Sequence, residues 1–237
     1  MSRSSLRLET LPGGRLARPA RNVPAAEPDD AKESKNTKAA KSSARKDAAP
    51  QAAGEIRIIG GQWKRTRLPV AQRPGLRPTP DRVRETLFNW LGQDLTGWHC
   101  LDAFAGTGAL GLEAASRGAA AVQLVENDAT LVAQLHKLQA RLAATAVRVQ
   151  RGDGIAALRQ VAPASLHLVL LDPPFDGAWF EPALQAAAKA VAADGFVYLE
   201  APQAWTDEAL APFGLVVHRH LKAGAVHAHL LQQRLAG

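Results

Sequence analysis

Between His99 and Glu200 short apolar runs alternate with stretches of helical periodicity, and no other feature restricts the fold as much. The runs are His99–Ala103, Ala121–Glu126, Val147–Gln150, His167–Leu171 and Gly195–Glu200. Helices are expected over residues 108–116, 129–143, 154–161 and 180–192, the second with Leu131, Leu135, Leu138 and Leu142 on one face. Strands this short and apolar are covered on both faces, which means a parallel sheet with helices on either side and right-handed crossovers. Ligands then lie at the carboxyl ends of the strands, where the strand order reverses. Beyond the fifth strand, Leu215–His220 and Val226–Arg234 alternate in polarity about a Lys-Ala-Gly turn, as an antiparallel hairpin would. The expected fold class is α/β, a doubly wound, mostly parallel seven-stranded sheet ending in that hairpin. No internal repeat is present.

A smaller extension precedes this body. Ile56–Ile59 and Trp63–Leu68 flank Gly60-Gly61-Gln62, a hairpin signal with two glycines able to take positive φ. PGLRPTPDRVRETLFNWL then reads as a Pro-rich turn and a helix, with Thr79 or Asp81 as its cap and Val83, Leu87, Phe88 and Leu91 at helical spacing. Residues 1–53 are Ala, Ser, Pro, Lys and Arg with almost no large apolar side chains, and such a segment cannot bury enough surface to offset its backbone entropy. The expected divisions are a disordered basic tail to residue 53, an extension over 54–96 and a catalytic domain over 97–237.

Charge follows those divisions. Of the net +7, residues 1–54 carry 11 basic and 6 acidic side chains, residues 55–85 carry 8 and 3, and the remainder 10 and 13. A near-neutral body with a basic extension suits a protein that meets a polyanion on one side. The tail alone could be a solvated arm. No apolar run approaches a membrane span, and the opening residues lack the apolar core of a signal peptide. Cys100 is the only cysteine, which excludes an internal disulfide and fits a reducing cytoplasm.

LDAFAGTGALGLEAA runs from the first strand of the body into its first helix, and Gly106, Gly108 and Gly111 satisfy G-x-G-x-x-G. Glu126, twenty residues after Gly106, suits a carboxylate accepting from ribose hydroxyls, as in a dinucleotide site. Asp102 argues for a different ligand. At the strand end it would repel a pyrophosphate, whereas it would pair with the α-ammonium of S-adenosylmethionine, which carries no phosphate. GDG at 152–154 offers Asp153 as an acceptor for an adenine amine. Both acids could instead cap helices.

LVLLDPPF, residues 168–175, ends the fourth strand in an acid, two prolines and a ring. An exocyclic amine of a nucleobase is a poor nucleophile because its lone pair is delocalised, and acceptors on its hydrogens favour the rehybridisation that attack requires. Asp172 supplies one acceptor and the Pro173 carbonyl another, on a backbone that Pro173 and Pro174 stiffen. Phe175 can stack on the base. A bare Asp-Pro turn with Phe175 plugging the core is the simpler alternative. The register with a glycine loop, an acidic second strand and a basic flank favours catalysis.

With RIIGGQWKRTRLPV, GLRPTPDRVRETLFNWL, LDAFAGTGALGLEAASRGA and LLDPPF together, the chain from about Glu55 onward resembles the class I S-adenosylmethionine-dependent amino-methyltransferases, and within them the bacterial RsmD family. The resemblance implies a Rossmann-like methyltransferase fold and methylation of N2 of one guanine in small-subunit (16S) ribosomal RNA. It implies a cytoplasmic monomer acting on 30S assembly particles, with no metal and no membrane. By position it implies Asp102, Phe104, Gly106 and Gly108 beneath the methionine moiety, Glu126 on the ribose, and Asp153 and Gly154 about the adenine; Asn127 stands where related enzymes often place an apolar residue against adenine, which leaves its part in cofactor binding open. Asp172, Pro173, Pro174 and Phe175 form the target-base site. Arg77, Thr79 and Arg82 lie in the segment that closes over cofactor and substrate. Lys64, Arg65 and Arg67 would bind RNA phosphates; Trp63 among them could stack on RNA or anchor the hairpin. Rival functions are a DNA or other RNA amino-methyltransferase, a nicotinamide-dependent oxidoreductase and a non-catalytic RNA-binding factor. His218/His220 and His227/His229 fall at i, i+2 on the terminal hairpin, where packing is the expected role rather than zinc. Cys100 is expected to fill the core.

Overall fold

The computed structural model describes residues 55–69, 79–175 and 177–234. The expected tail and Arg77 lie outside the described residues. Among those described, no helix is long and apolar enough to cross a membrane.

The extension opens with β1 (Glu55–Arg57) antiparallel to β2 (Arg67–Pro69), followed by α1 (Asp81–Trp90). The body runs β3 (His99–Asp102), α2 (Ala109–Ser116), β4 (Ala121–Glu126), α3 (Ala129–Arg141), β5 (Val147–Arg151), α4 (Gly154–Gln160), β6 (Leu166–Leu171), α5 (Phe180–Ala190) and β7 (Val191–Ala201). A short α6 (Asp207–Leu210) and one 3-10 turn lead to β8 (Leu215–Ala223) and β9 (Val226–Gln233). The main sheet has the order β5-β4-β3-β6-β7-β9-β8. Its first five strands pair in parallel, and β7–β9 and β8–β9 are antiparallel. The chain winds outward from β3 to β5, returns to β6 and winds the other way, so the order reverses between β3 and β6. The seven strands, the doubly wound order and the terminal hairpin are those expected.

Alternation along the strands divides the core. Cys100, Leu168, Leu170 and Tyr198 face the side covered by α1, α2 and the extension; Leu101, Val169, Leu171 and Leu199 face α4 and α5. Cys100 is buried filler, and burial with Asp102 nearby pushes its thiol up to about 12.

Two expectations for the extension fail. Trp63–Leu68 is not one strand, because the residues between β1 and β2 are used for docking. Ile59 and Gly60 donate their N–H groups to Glu113 of α2, each at 2.7 Å. The Gln62 N–H donates to the Ser116 carbonyl at 2.7 Å, and the Trp63 N–H to the Ser116 hydroxyl at 2.9 Å. Gly61 has φ +71°, and a side chain there would run into the Ser116 carbonyl. The second failure concerns the cap of α1. Neither Thr79 nor Asp81 caps it: Pro80 is the N-cap, Asp81 is the first helical residue, and its carboxylate pairs with Arg84 at 2.7 Å and Arg57 at 3.2 Å. The Thr79 hydroxyl is engaged elsewhere, in the site.

The terminal histidines pack as rings. His220 stacks on His229 at 4.7 Å and on His227 at 5.2 Å between centroids. The His229 Nε2 accepts from the Trp205 N–H at 3.0 Å, and burial lowers this ring to about 4.

Candidate active site

β3 delivers Asp102 to the point of reversal, and the loop that follows turns on Gly106 and Gly108, both at positive φ, before α2 begins. Asp102 is buried. Its Oδ2 accepts from the Gly111 N–H at 3.0 Å, while its Oδ1 has no hydrogen-bond partner. A buried carboxylate oxygen left without a donor is costly, and a cationic ligand entering over the glycine loop would satisfy it. Burial, the largest influence, raises Asp102 to about 7; the Gly111 N–H opposes it and Glu126 adds to it.

At the end of β4, Glu126 accepts from the Gly106 and Asp128 N–H groups, each at 2.8 Å. Its carboxylate thus holds the glycine loop and stands at the sheet edge where ribose hydroxyls were expected. Asn127 is exposed. Asp153 does cap α4, accepting from Ile155 at 2.7 Å and Ala156 at 3.0 Å through one oxygen, so the capping alternative holds for it. Gly154 opens α4 against the Ala103 carbonyl, where a side chain would collide. Phe104 is half-buried against the α4–α5 side of the core. Asp102, Phe104, Gly106, Gly108, Glu126, Asn127, Asp153 and Gly154 therefore gather at the carboxyl ends of β3, β4 and β5.

β6 brings the tetrapeptide beside them. Leu170 is level with Asp102 on one side and Tyr198 on the other, so Asp172 falls next to Glu200 at the end of β7. Pro173 is buried and Pro174 exposed. Phe175 is 42% exposed with its ring 6.4 Å from Phe180, so it does not plug the core. Burial raises Asp172 well above the usual carboxylate range, and Glu200 and Asp102 add to it.

Glu200 was not foreseen in the sequence. It is buried, accepts from the Tyr198 hydroxyl at 2.8 Å and receives a hydrogen bond from the Thr79 hydroxyl; burial raises it and those two donors oppose the rise. Thr79, itself buried, so fastens the start of α1 to the floor of the site. The available signal was the acid at the end of the fifth strand, in VYLEAP, but only the strand order makes it a neighbour of Asp172.

The basic residues of the extension's turn lie away from the glycine loop. The turn carrying Trp63, Lys64 and Arg65 is fastened to the C-terminal end of α2, and the eight residues of α2 put roughly 12 Å between it and the glycine loop. Trp63 is half-buried against the core, as an anchor would be. Lys64, Arg65, Arg67 and Arg82 are exposed, and Arg67 pairs with Glu55 at 3.0 Å. Among the described residues no cluster of three or more His, Cys, Asp or Glu side chains is arranged to hold a metal ion.

Comparison with known proteins adds to this geometry. A family profile described as Conserved hypothetical protein 95 matches residues 56–232. Ribosomal RNA small subunit methyltransferase D of Escherichia coli K12 is 41% identical over 186 residues, which cover 78% of this chain and 93% of that protein. The protein of the same name from Haemophilus influenzae is 46% identical over 129 residues, 53% of this chain and 67% of its own length. A solved Escherichia coli structure, 41% identical, covers 77% of this chain and 100% of its own with a TM-score of 0.67. An M. jannaschii protein solved in complex with AdoMet is 13% identical, covers 70% of this chain and 82% of its own, and shares the fold with a TM-score of 0.51.

Proposed function

This chain belongs to the family of the ribosomal RNA small subunit methyltransferase D proteins and has their class I methyltransferase fold; from that premise we propose that it moves a methyl group from S-adenosylmethionine to the exocyclic N2 amine of a guanine in 16S ribosomal RNA. The reaction takes place in the cytoplasm, on a 30S assembly particle. The observation that carries the reading is the adjacency of Asp102, with its orphaned Oδ1, to Asp172 and the Pro173 carbonyl across the reversal of the sheet.

S-adenosylmethionine supplies the electrophilic methyl group. The protein's own residues do the rest by position. Asp102 Oδ1 accepts from the α-ammonium, Glu126 from the ribose hydroxyls and Asp153 from the adenine amine. Asp172 and the Pro173 carbonyl accept the two hydrogens of the target amine and turn its lone pair toward the methyl carbon. Phe175, exposed beside them, stacks on the swung-out base. A nicotinamide dinucleotide suits the pocket poorly, because its pyrophosphate would lie against Asp102. Lys64, Arg65, Arg67, Arg77 and Arg82 contact phosphates, those of the turn at a distance from the target base.

The test is transfer of labelled methyl from S-adenosylmethionine to 30S particles from a strain that lacks the enzyme, followed by nucleoside analysis. Label in N2-methylguanine is expected, and Asp172→Asn should lower single-turnover transfer by about 10²–10³-fold with RNA affinity within about twofold. Label in N6-methyladenine, or none in RNA, would refute the reading.

A further inference from the structure

The carboxyl ends of β3, β6 and β7 hold more negative charge than the described residues balance. Asp102, Asp172 and Glu200 end three adjacent strands. From β4, Glu126 adds its charge; from β9, the residue level with Glu200 is Ala228; from the extension, the Thr79 hydroxyl reaches in. The buried cation of the extension, Arg84, is engaged with Asp81, Glu113 and the Thr79 and Arg57 carbonyls. Of the ion pairs among the described residues, none includes Asp102, Asp172 or Glu200.

Asp102 and Glu200 are buried and Asp172 is half-buried between their strands; three neighbouring carboxylates so placed do not all stay charged without a cation. The row takes up a proton when the pocket is empty and gives it up when positive charge enters. The two hydroxyl donors at Glu200 favour its charged form and leave the shared proton with Asp172 and Asp102, the direction in which both of those groups are shifted. An amine held by Asp172 must lie in line with the methyl carbon and the sulfur, so the sulfonium would sit about 6 Å from that carboxyl.

We propose that Glu200 is a specificity-determining residue: as the third carboxylate of the row, it makes the pocket favour the sulfonium donor over the uncharged thioether left after transfer, by exchanging a proton of the row for the sulfonium charge. This rests on the reading of the chain as an S-adenosylmethionine-dependent methyltransferase. No covalent bond to carbon or sulfur changes in the exchange; one proton leaves a carboxyl for solvent as one sulfonium enters. On transfer the amine bonds to the methyl carbon, the carbon–sulfur bond breaks with its electron pair going to sulfur, and the amine loses a proton. The row is the adjacent acceptor for that proton, so it regains its neutral partner as the sulfur loses its charge.

Calorimetric titration of the full chain with S-adenosylmethionine and with S-adenosylhomocysteine, at pH 7 in buffers of different ionisation enthalpy, counts the protons. The two ligands share every other charged group, so their difference isolates the sulfonium. The charged ligand should release about one proton more than the neutral one. Glu200→Gln should at least halve that difference and weaken the preference for the charged ligand by about fivefold or more. Tyr198→Phe, which removes a donor and keeps the carboxyl, should move the exchange to higher pH. Equal proton counts in the unaltered protein overturn the inference and leave the cofactor reading standing, whereas failure of both ligands to bind overturns both. An unaltered difference in a folded Glu200→Gln also overturns it; if that variant is unfolded by circular dichroism, the wild-type counts and Tyr198→Phe decide.

Discussion

The carboxylate of Glu113 accepts the N–H groups of Ile59 and Gly60, each at 2.7 Å, from 54 and 53 residues away in the chain. It also meets Arg117 at 2.8 Å and Arg84 at 3.6 Å, and both Glu113 and Arg84 are wholly buried. One side chain of α2 thus holds the extension to the body while neutralising the guanidinium that α1 buries. Glu113→Ala would leave Arg84 with Asp81 as its one charged partner among the described residues and leave two backbone donors unpaired, and breaking a buried pair from one side costs about 3–5 kcal/mol. Urea denaturation should show a loss of that size, and a smaller one for Glu113→Gln, which keeps an acceptor. A loss below about 1 kcal/mol for the alanine variant would mean that the extension is held by its apolar contacts alone.

The same contact marks where reading the sequence stops. The strands of the body were legible because each is a short run rich in apolar residues, LVLL being the purest, and the ligand edge followed from their alternation with helices. Gly60-Gly61 read as a hairpin turn because two glycines are the local signal for one. The features that make it a docking loop, Glu113 and Ser116, lie far along the chain and look like ordinary helix residues. Glu200 was hidden for a related reason. An acid ending a strand is common, and it becomes informative only when the register sets it beside Asp172. Asp172 was legible only through its setting: an Asp-Pro turn is common, and the glycine loop, the acid ending the second strand and the basic flank made it a candidate.

Asp102 makes stability depend on pH in an unusual direction. Its carboxyl is raised from 3.8 to about 7 in the folded protein, so the fold binds that proton more tightly than the unfolded chain does. The contribution is fully present below pH about 4 and is lost as the pH rises through about 7. Asp172 and Glu200 are shifted in the same direction. Without cofactor, the protein should therefore lose stability relative to Asp102→Asn between pH 5 and 8, by at most roughly 4 kcal/mol. Denaturant titrations of both proteins across that range measure it, and a difference independent of pH would contradict the burial of an uncompensated carboxyl there.

Phe175 offers a ring that is 42% exposed and touches Phe180 along one side. Its removal should cost the fold about 1 kcal/mol or less, because a large part of the ring already meets solvent. Binding should suffer instead, since stacking on a base is worth about 1–3 kcal/mol. Phe175→Ala should therefore melt near the wild type and raise KM for RNA about tenfold, with Phe175→Tyr retaining affinity and Phe175→Leu failing to. A large loss of stability with unchanged KM would make the ring a packing element.

Lys64 and Arg65 are exposed on a turn whose backbone is fixed by Ser116, and neither forms an ion pair among the described residues, whereas Arg67 is occupied by Glu55. A fixed turn with unpaired cations holds its charges in place without ordering long side chains against a carboxylate. Each phosphate contact contributes about 0.7–0.9 to the slope of log affinity against log salt. Changing both Lys64 and Arg65 to Gln should reduce that slope by about 1–2, weaken binding alike for cognate and unrelated RNA, and leave the single-turnover rate at saturating RNA unchanged. Those charges lie about one helix length from the glycine loop, so they can hold the strand without touching the reacting base. A slope equal to that of the wild type would move the RNA path off this face, and a fall in the saturated rate would show that the turn communicates with the site through α2.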